Sequence, residues 1–167
     1  QSVCEEIDSK RTKAFAADLS NPEQAIELVK SVFNHFGRLD GLVNNAGSGR
    51  AVAFRGLKLD AWRATQALNL ESAFIACQEA YKLMRKAKKG SIVNMASLAA
   101  HGPGNMMGAD YAASKAGLVS ITRTLALEAA RFGIRCNAVS PGIVETDMAE
   151  GMTDEMIAKM AIPLNRL

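Results

Sequence analysis

Tyr111 and Lys115 stand four residues apart in Tyr111-Ala112-Ala113-Ser114-Lys115, at the start of a segment with helical character. Residues at this spacing share one helix face, so both side chains can point at one site. A free tyrosine has a pKa of about 10, too high for easy proton exchange near neutrality. A nearby ammonium favours the phenolate and lowers that value, so the pair can work as a general acid/base couple. Alone, the spacing more often describes a tyrosine packed near a helix start beside a solvated lysine. Its surroundings favour the chemical reading. Ser97 ends the apolar run Ile92-Val93-Asn94-Met95-Ala96-Ser97, fourteen residues before Tyr111, and a loop of small residues between them can bend back. Ligands of open α/β sheets bind where parallel strands end. A hydroxyl there can donate to a substrate carbonyl while the tyrosine supplies or removes the proton.

Three further segments carry polar groups to similar places. Asn44-Asn45-Ala46-Gly47 follows an apolar strand candidate; small residues let backbone approach a flat ligand, and asparagines fix turns. Asn69 falls inside a helical pattern, where asparagine has poor propensity. An inward amide there is either satisfied in the core or part of a site. Pro141-Gly142-Ile143-Val144-Glu145-Thr146 leaves the last strand candidate with a loop and a hydroxyl.

The elements that must position these groups alternate. Lys13 to Ala17 is a strand candidate ending at Asp18. Asn21 and Pro22 open a helix that Gly37 stops, asparagine serving as the N-cap and glycine as the C-cap. Leu39 to Val43 reads as a strand, Leu59 to Lys86 as a long helix, Ser91 to Met95 as a strand and 98–109 as a loop. Asp110 is the expected N-cap of a helix over Tyr111 to Arg131, followed by a strand over Ile134 to Ser140 and a short helix over Thr153 to Met160. This alternation predicts crossover units and one α/β domain over residues 1–167.

The ordered set resembles the short-chain dehydrogenase/reductase family: Asp18, Asn44-Asn45-Ala46-Gly47, Asn69-Leu70, Ser97, Tyr111/Lys115, and Pro141-Gly142 with Thr146. The resemblance implies a Rossmann-like, doubly wound parallel sheet flanked by helices and an NADP or NAD cofactor that carries the hydride. It implies ketone/secondary-alcohol interconversion. In that scheme Tyr111 is the acid/base and Ser97 orients the substrate, while Lys115 holds the nicotinamide ribose and lowers the tyrosine pKa. Asn69 supports a water-linked proton relay. Asp18 and Leu19 flank the adenine, Asn44, Ala46 and Gly47 line the cofactor cleft, and Pro141, Gly142, Val144 and Thr146 meet the nicotinamide end. Ser140 to Met148 and Ile162 to Leu167 are similar to the bacterial 3-oxoacyl-acyl-carrier-protein reductases, which implies an acyl-thioester carbonyl substrate. Lys88 and Lys89 then become candidates for docking an acidic carrier.

Composition narrows the alternatives. Lys and Arg number 20 against 17 Asp and Glu, a net charge of +3. The run Arg85-Lys86-Ala87-Lys88-Lys89 has no interleaved aromatics, so it reads as a solvated helix end and not a nucleic-acid surface. Cys4, Cys77 and Cys136 show no metal spacing, and His35 and His101 stand alone; the expectation is no metal and reduced, buried thiols in a cytoplasmic protein. No apolar run reaches the length of a membrane span. The glycine-rich turn with which the family pattern opens is absent, and residues 1–8 read as the tail of a helix. The expectation is therefore the central, catalytic part of a domain of roughly 250 residues. The alternative is a non-catalytic fragment or degenerate homologue acting as an oligomerisation module. Its two long helices resemble those that pair subunits into family homotetramers or homodimers.

Overall fold

The structure is a computed structural model and describes residues 11–102 and 107–144. Helix α1 spans Pro22–Phe36. The Asn21 side chain accepts from the N–H groups of Glu23 and Gln24, and Gly37 closes the helix at φ 71°, a left-handed conformation that favours glycine. A link of four residues turns the chain into strand β1, Gly41–Asn44. Helix α2 follows at Leu59–Gln66, then a wide π turn at Ala67–Glu71, then helix α3 at Ser72–Ala87. Strand β2 is Gly90–Met95, helix α4 is Ala109–Ala129 and strand β3 is Ile134–Val139.

The three strands are parallel in the order β1-β2-β3, with Leu42 opposite Ile92 and Ile92 opposite Cys136. Each crossover is helical, as parallel pairing requires. Ile92 and Asn94 are fully buried on one face of β2, beneath α3 and α4. The core joins Cys77, Ala80 and Met84 of α3 to Ile92, Ala129, Ile134 and Cys136. Cys77 and Cys136 are buried free thiols, as expected. Burial pushes both thiols up, Cys136 to about 12 with help from neighbouring Cys77. Both stay protonated and inert near neutrality.

The parallel α/β class is as expected, and several details differ. Lys13 to Ala17 forms no strand among the described residues; Phe15 instead meets the His35 ring edge-on, 5.8 Å between centroids. A strand exists only by pairing, and β1 pairs with β2 alone among the described residues, so local pattern could not decide this. The long helix expected over Leu59 to Lys86 is interrupted by the π turn at Asn69. The last helix begins with Gly108 as N-cap, which places Asp110 inside the first turn. The helix expected over Thr153 to Met160, Thr146 and the helix tail over 1–8 lie outside the described residues. No helix among the described residues is long and apolar enough to cross a membrane.

Met84 is fully buried at the centre of this core. Met84→Ala is expected to lower the unfolding free energy by about 2–5 kcal/mol, by lost burial and an unfilled cavity. Urea unfolding midpoints of the two proteins check this.

Candidate active site

The carboxyl ends of β1 and β2 meet the start of α4. Met95, the last residue of β2, accepts a 2.7 Å hydrogen bond from Lys115 Nζ through its backbone oxygen. Lys115 is 5% exposed, and burial pushes its pKa below the ordinary lysine value. Its ammonium stands 5.7 Å from the centroid of the Tyr111 ring, within cation–π range. The expected pair is thus brought together, with the cation desolvated where its field on the phenol is least screened.

Asn69 sits inside the π turn and is 1% exposed. Its Oδ1 accepts from the Ser48 N–H at 2.9 Å, and its Nδ2 donates to the Ser48 carbonyl at 2.8 Å and to Ser114 Oγ at 3.2 Å. The Ser114 hydroxyl donates in turn to the Tyr111 carbonyl at 2.7 Å. One side chain therefore joins the loop after β1 to the turn of α4 that presents Tyr111. π turns of this kind recur at functional sites.

The loop after β1 is held close by its glycines. A Cβ on Gly47 would lie 3.2 Å from Asn69 Oδ1 and 3.4 Å from Lys115 Nζ, and one on Gly49 would lie 2.5 Å from Tyr111 Cδ2. Backbone occupies the space that side chains would fill. The Gly108 N–H donates to the Arg50 carbonyl at 2.9 Å and ties the end of this loop to the start of α4.

Ser97 follows β2 in extended conformation, and its hydroxyl accepts from the Ala99 N–H at 3.2 Å. The Leu98 N–H donates to the Pro141 carbonyl at 3.0 Å, which sets Pro141 and Gly142 beside the Ser97 segment. Val144 is exposed farther along. Asp18 precedes α1, its carboxylate accepting from Ser20 N and Ser20 Oγ at 2.9 and 2.6 Å. Those bonds hold its carboxyl below the usual range. α1 packs against α3, and Asp18 and Leu19 lie just before its N-terminus. Ala46 is exposed on the loop after β1.

Asn44 is the last residue of β1. Its Nδ2 donates to Asn94 Oδ1 at 2.7 Å, and Asn94 Nδ2 donates to Thr122 Oγ1 at 2.8 Å. Its amide belongs to a polar brace under the strand ends. The brace satisfies Asn94, which is wholly buried. Ser48, Gly49, Ser114, Asn94 and Thr122 were not singled out from sequence. Asn94 alone left a signal, a polar side chain in the middle of an apolar strand. No group of three or more metal-ligating side chains occurs among the described residues.

The profile of the short chain dehydrogenase family matches residues 1–157. The 3-oxoacyl-[acyl-carrier-protein] reductase of Synechocystis sp. is 40% identical over 153 residues, covering 92% of this chain and 61% of that protein. The reductase of the same description from Staphylococcus aureus is 36% identical over 170 residues, covering 99% of this chain and 69% of its own length. Among solved structures, gox2181 superposes with a TM-score of 0.85 at 34% identity, covering 92% of this chain and 62% of that one. A protein assigned as a short-chain alcohol dehydrogenase from Sinorhizobium meliloti gives 0.86 at 34% identity with the same coverage. The chain belongs to the short chain dehydrogenase family, and it spans 61% to 69% of the length of these two reductases.

The buried Lys115 ammonium makes stability depend on pH with a definite sign. The folded chain releases this proton below the ordinary value of 10.5. Between the lowered folded value and the unfolded one, the unfolded state binds more protons, so stability rises with pH. Below that window the cost of the buried charge is fully present. Denaturant unfolding followed from neutrality to pH 10.5 should show this rise in the natural sequence and its loss in Lys115→Met.

Proposed function

We propose that this chain supplies the catalytic half of an oxidoreductase that interconverts a ketone and a secondary alcohol with NADP or NAD. The observation that carries the reading is the Lys115 ammonium, buried at the end of β2 and set over the Tyr111 ring. A cation held beside a phenol is an arrangement suited to general acid/base chemistry by tyrosine. In reduction Tyr111 donates its proton to the carbonyl oxygen, and in oxidation its phenolate takes the hydroxyl proton. Ser97 orients that oxygen by a hydrogen bond.

The site fits a nicotinamide cofactor in one respect that can be tested on the residues themselves. Gly47 packs its backbone against Asn69 and Lys115, where a Cβ would lie 3.2 Å from Oδ1 and 3.4 Å from Nζ, so no side chain at this position crowds the ammonium that would meet a ribose. Lys115 would hold the ribose hydroxyls there. Ala46, Gly47, Pro141, Gly142, Val144 and Thr146 would line the remainder of the cleft, Asp18 and Leu19 would flank the adenine, and Asn44 would brace the strand end beneath it. Asn69, fixed by Ser48 and Ser114, would support a water-linked path from Lys115 to solvent. The cofactor, when bound, supplies the hydride.

The similarity to 3-oxoacyl-[acyl-carrier-protein] reductases supports a 3-oxoacyl thioester as substrate class. Lys88 and Lys89 do not add to this reading within one subunit. Lys88 is the left-handed cap of α3, and both precede β2 at the edge opposite Ser97. They suit the solvated helix end, whose negative dipole they offset. Self-association has its own support. Leu70, Phe74, Gly117 and Ile121 line an open apolar groove along α3 and α4, and Phe74 is half exposed. A second copy of the chain would cover it as a homodimer or within a homotetramer.

Tyr111→Phe in the intact protein is expected to lower turnover by about 10²–10⁴-fold, the usual worth of a positioned acid/base. Cofactor affinity, followed by nicotinamide fluorescence, should change little. Undiminished turnover would exclude the assignment.

A further inference from the structure

Asp110 precedes Tyr111 in the chain and has no task in the proton transfer. It is 1% exposed. Its Oδ2 accepts from Thr65 Oγ1 at 2.7 Å, while Oδ1 is buried without a partner among the described residues. Leaving a carboxylate oxygen unsatisfied in the interior is costly, and such groups in native structures call for an explanation.

Other polar atoms of Asp110 are engaged where α4 begins. Its N-cap, Gly108, has no side chain to accept from the first turn, whereas Asn21 caps α1 in the ordinary way. The first turn of α4 is held from the side. Thr65 and Gln66 are the last two residues of α2. Thr65 donates to the Asp110 carboxylate, and Gln66 Nε2 donates to the Asp110 backbone carbonyl at 2.8 Å. Two bonds thus fix one residue of α4 in position and rotation. Adjacent Cα atoms are ~3.8 Å apart, so any drift of Asp110 carries Tyr111 with it. The Tyr111 ring has little room to absorb such drift, because Gly49 backbone packs against its edge. The same helical pair then continues into the π turn that holds Asn69.

We propose that Asp110, latched by Thr65 and Gln66, is a positioning residue that sets the Tyr111 phenol against Lys115 and Ser97. The proposal rests on the reading of Tyr111 as the acid/base. A latch that served stability alone would affect unfolding and leave the proton-transfer step unchanged.

The test uses the intact protein, with NADPH or NADH oxidation by acetoacetyl-coenzyme A as the probe reaction. Thr65→Val removes the donor at nearly constant volume, and Thr65→Ser keeps it. Thr65→Val is expected to lower kcat fivefold or more and to enlarge the solvent deuterium isotope effect on kcat. KM for the thioester and cofactor Kd should stay within twofold. Thr65→Ser should return kcat to within twofold of the natural protein. Gln66 is half-buried, so Gln66→Met breaks the second bond without emptying the core and should move kcat and the isotope effect the same way. A folded Thr65→Val with natural kcat and isotope effect overturns the proposal, as does an equal loss in Thr65→Ser. If Thr65→Val does not fold, natural values in Gln66→Met overturn it. Tyr111→Phe in the same assay separates the two ideas. An active Tyr111→Phe sinks the acid/base reading, whereas an inactive Tyr111→Phe beside a normal Thr65→Val sinks only the latch.

Discussion

The carboxamide of Asn69 presents one acceptor and one donor to the backbone of Ser48, as a neighbouring strand would. It does so from inside a helix, where its own backbone is already engaged. This pairing requires the loop after β1 and the π turn to lie side by side, with Gly47 too close for a side chain. Its remaining donor reaches Ser114 and, through that hydroxyl, the backbone of Tyr111. Loss of such a buried amide leaves several groups unsatisfied at once, each worth about 1–3 kcal/mol. The loop, the helix pair and the start of α4 are therefore fixed together or not at all.

Lys115 depends on that arrangement and also strains it. A buried ammonium needs compensation, and among the described residues it has the Met95 carbonyl and the face of the Tyr111 ring. Moving the lysine to a hydrated position would relieve its desolvation but would take the charge away from the Tyr111 ring. The site accepts the desolvation, and the lowered lysine pKa records it. Strained or costly groups of this kind concentrate where chemistry is done. The polar brace of Asn44, Asn94 and Thr122 gives the strand ends beneath them a fixed frame.

Legibility in the sequence followed the range of the interactions involved. Strand β2 was readable to within a residue because its apolar run is dense and its flanks are turn-forming. The pairing of Tyr111 with Lys115 was readable because it follows from one helix turn. The π turn was not, since one extra residue barely disturbs the periodicity of a segment as long as Leu59 to Lys86. Lys13 to Ala17 has the composition of a strand, but strand formation depends on a neighbour that composition does not contain. The strand end at Asn44 is legible in the sequence, but the direction of its amide is not, because spacing alone says nothing about which way a side chain turns. Asp110 has the sequence context of a cap because aspartate before a helix usually caps it; its bonds to α2 are tertiary, contributed by residues 44 and 45 positions away.

Strand β2 has a ladder on both sides, and its last carbonyl grips the lysine. The charge is thereby referenced to the best-supported backbone among the described strands, while Ser97 and the Pro141 segment hang from the strand ends as loops. Such a division separates what must stay constant from what can vary. The frame can keep a phenol and an ammonium in register while the loops above it are exchanged, lengthened or reshaped.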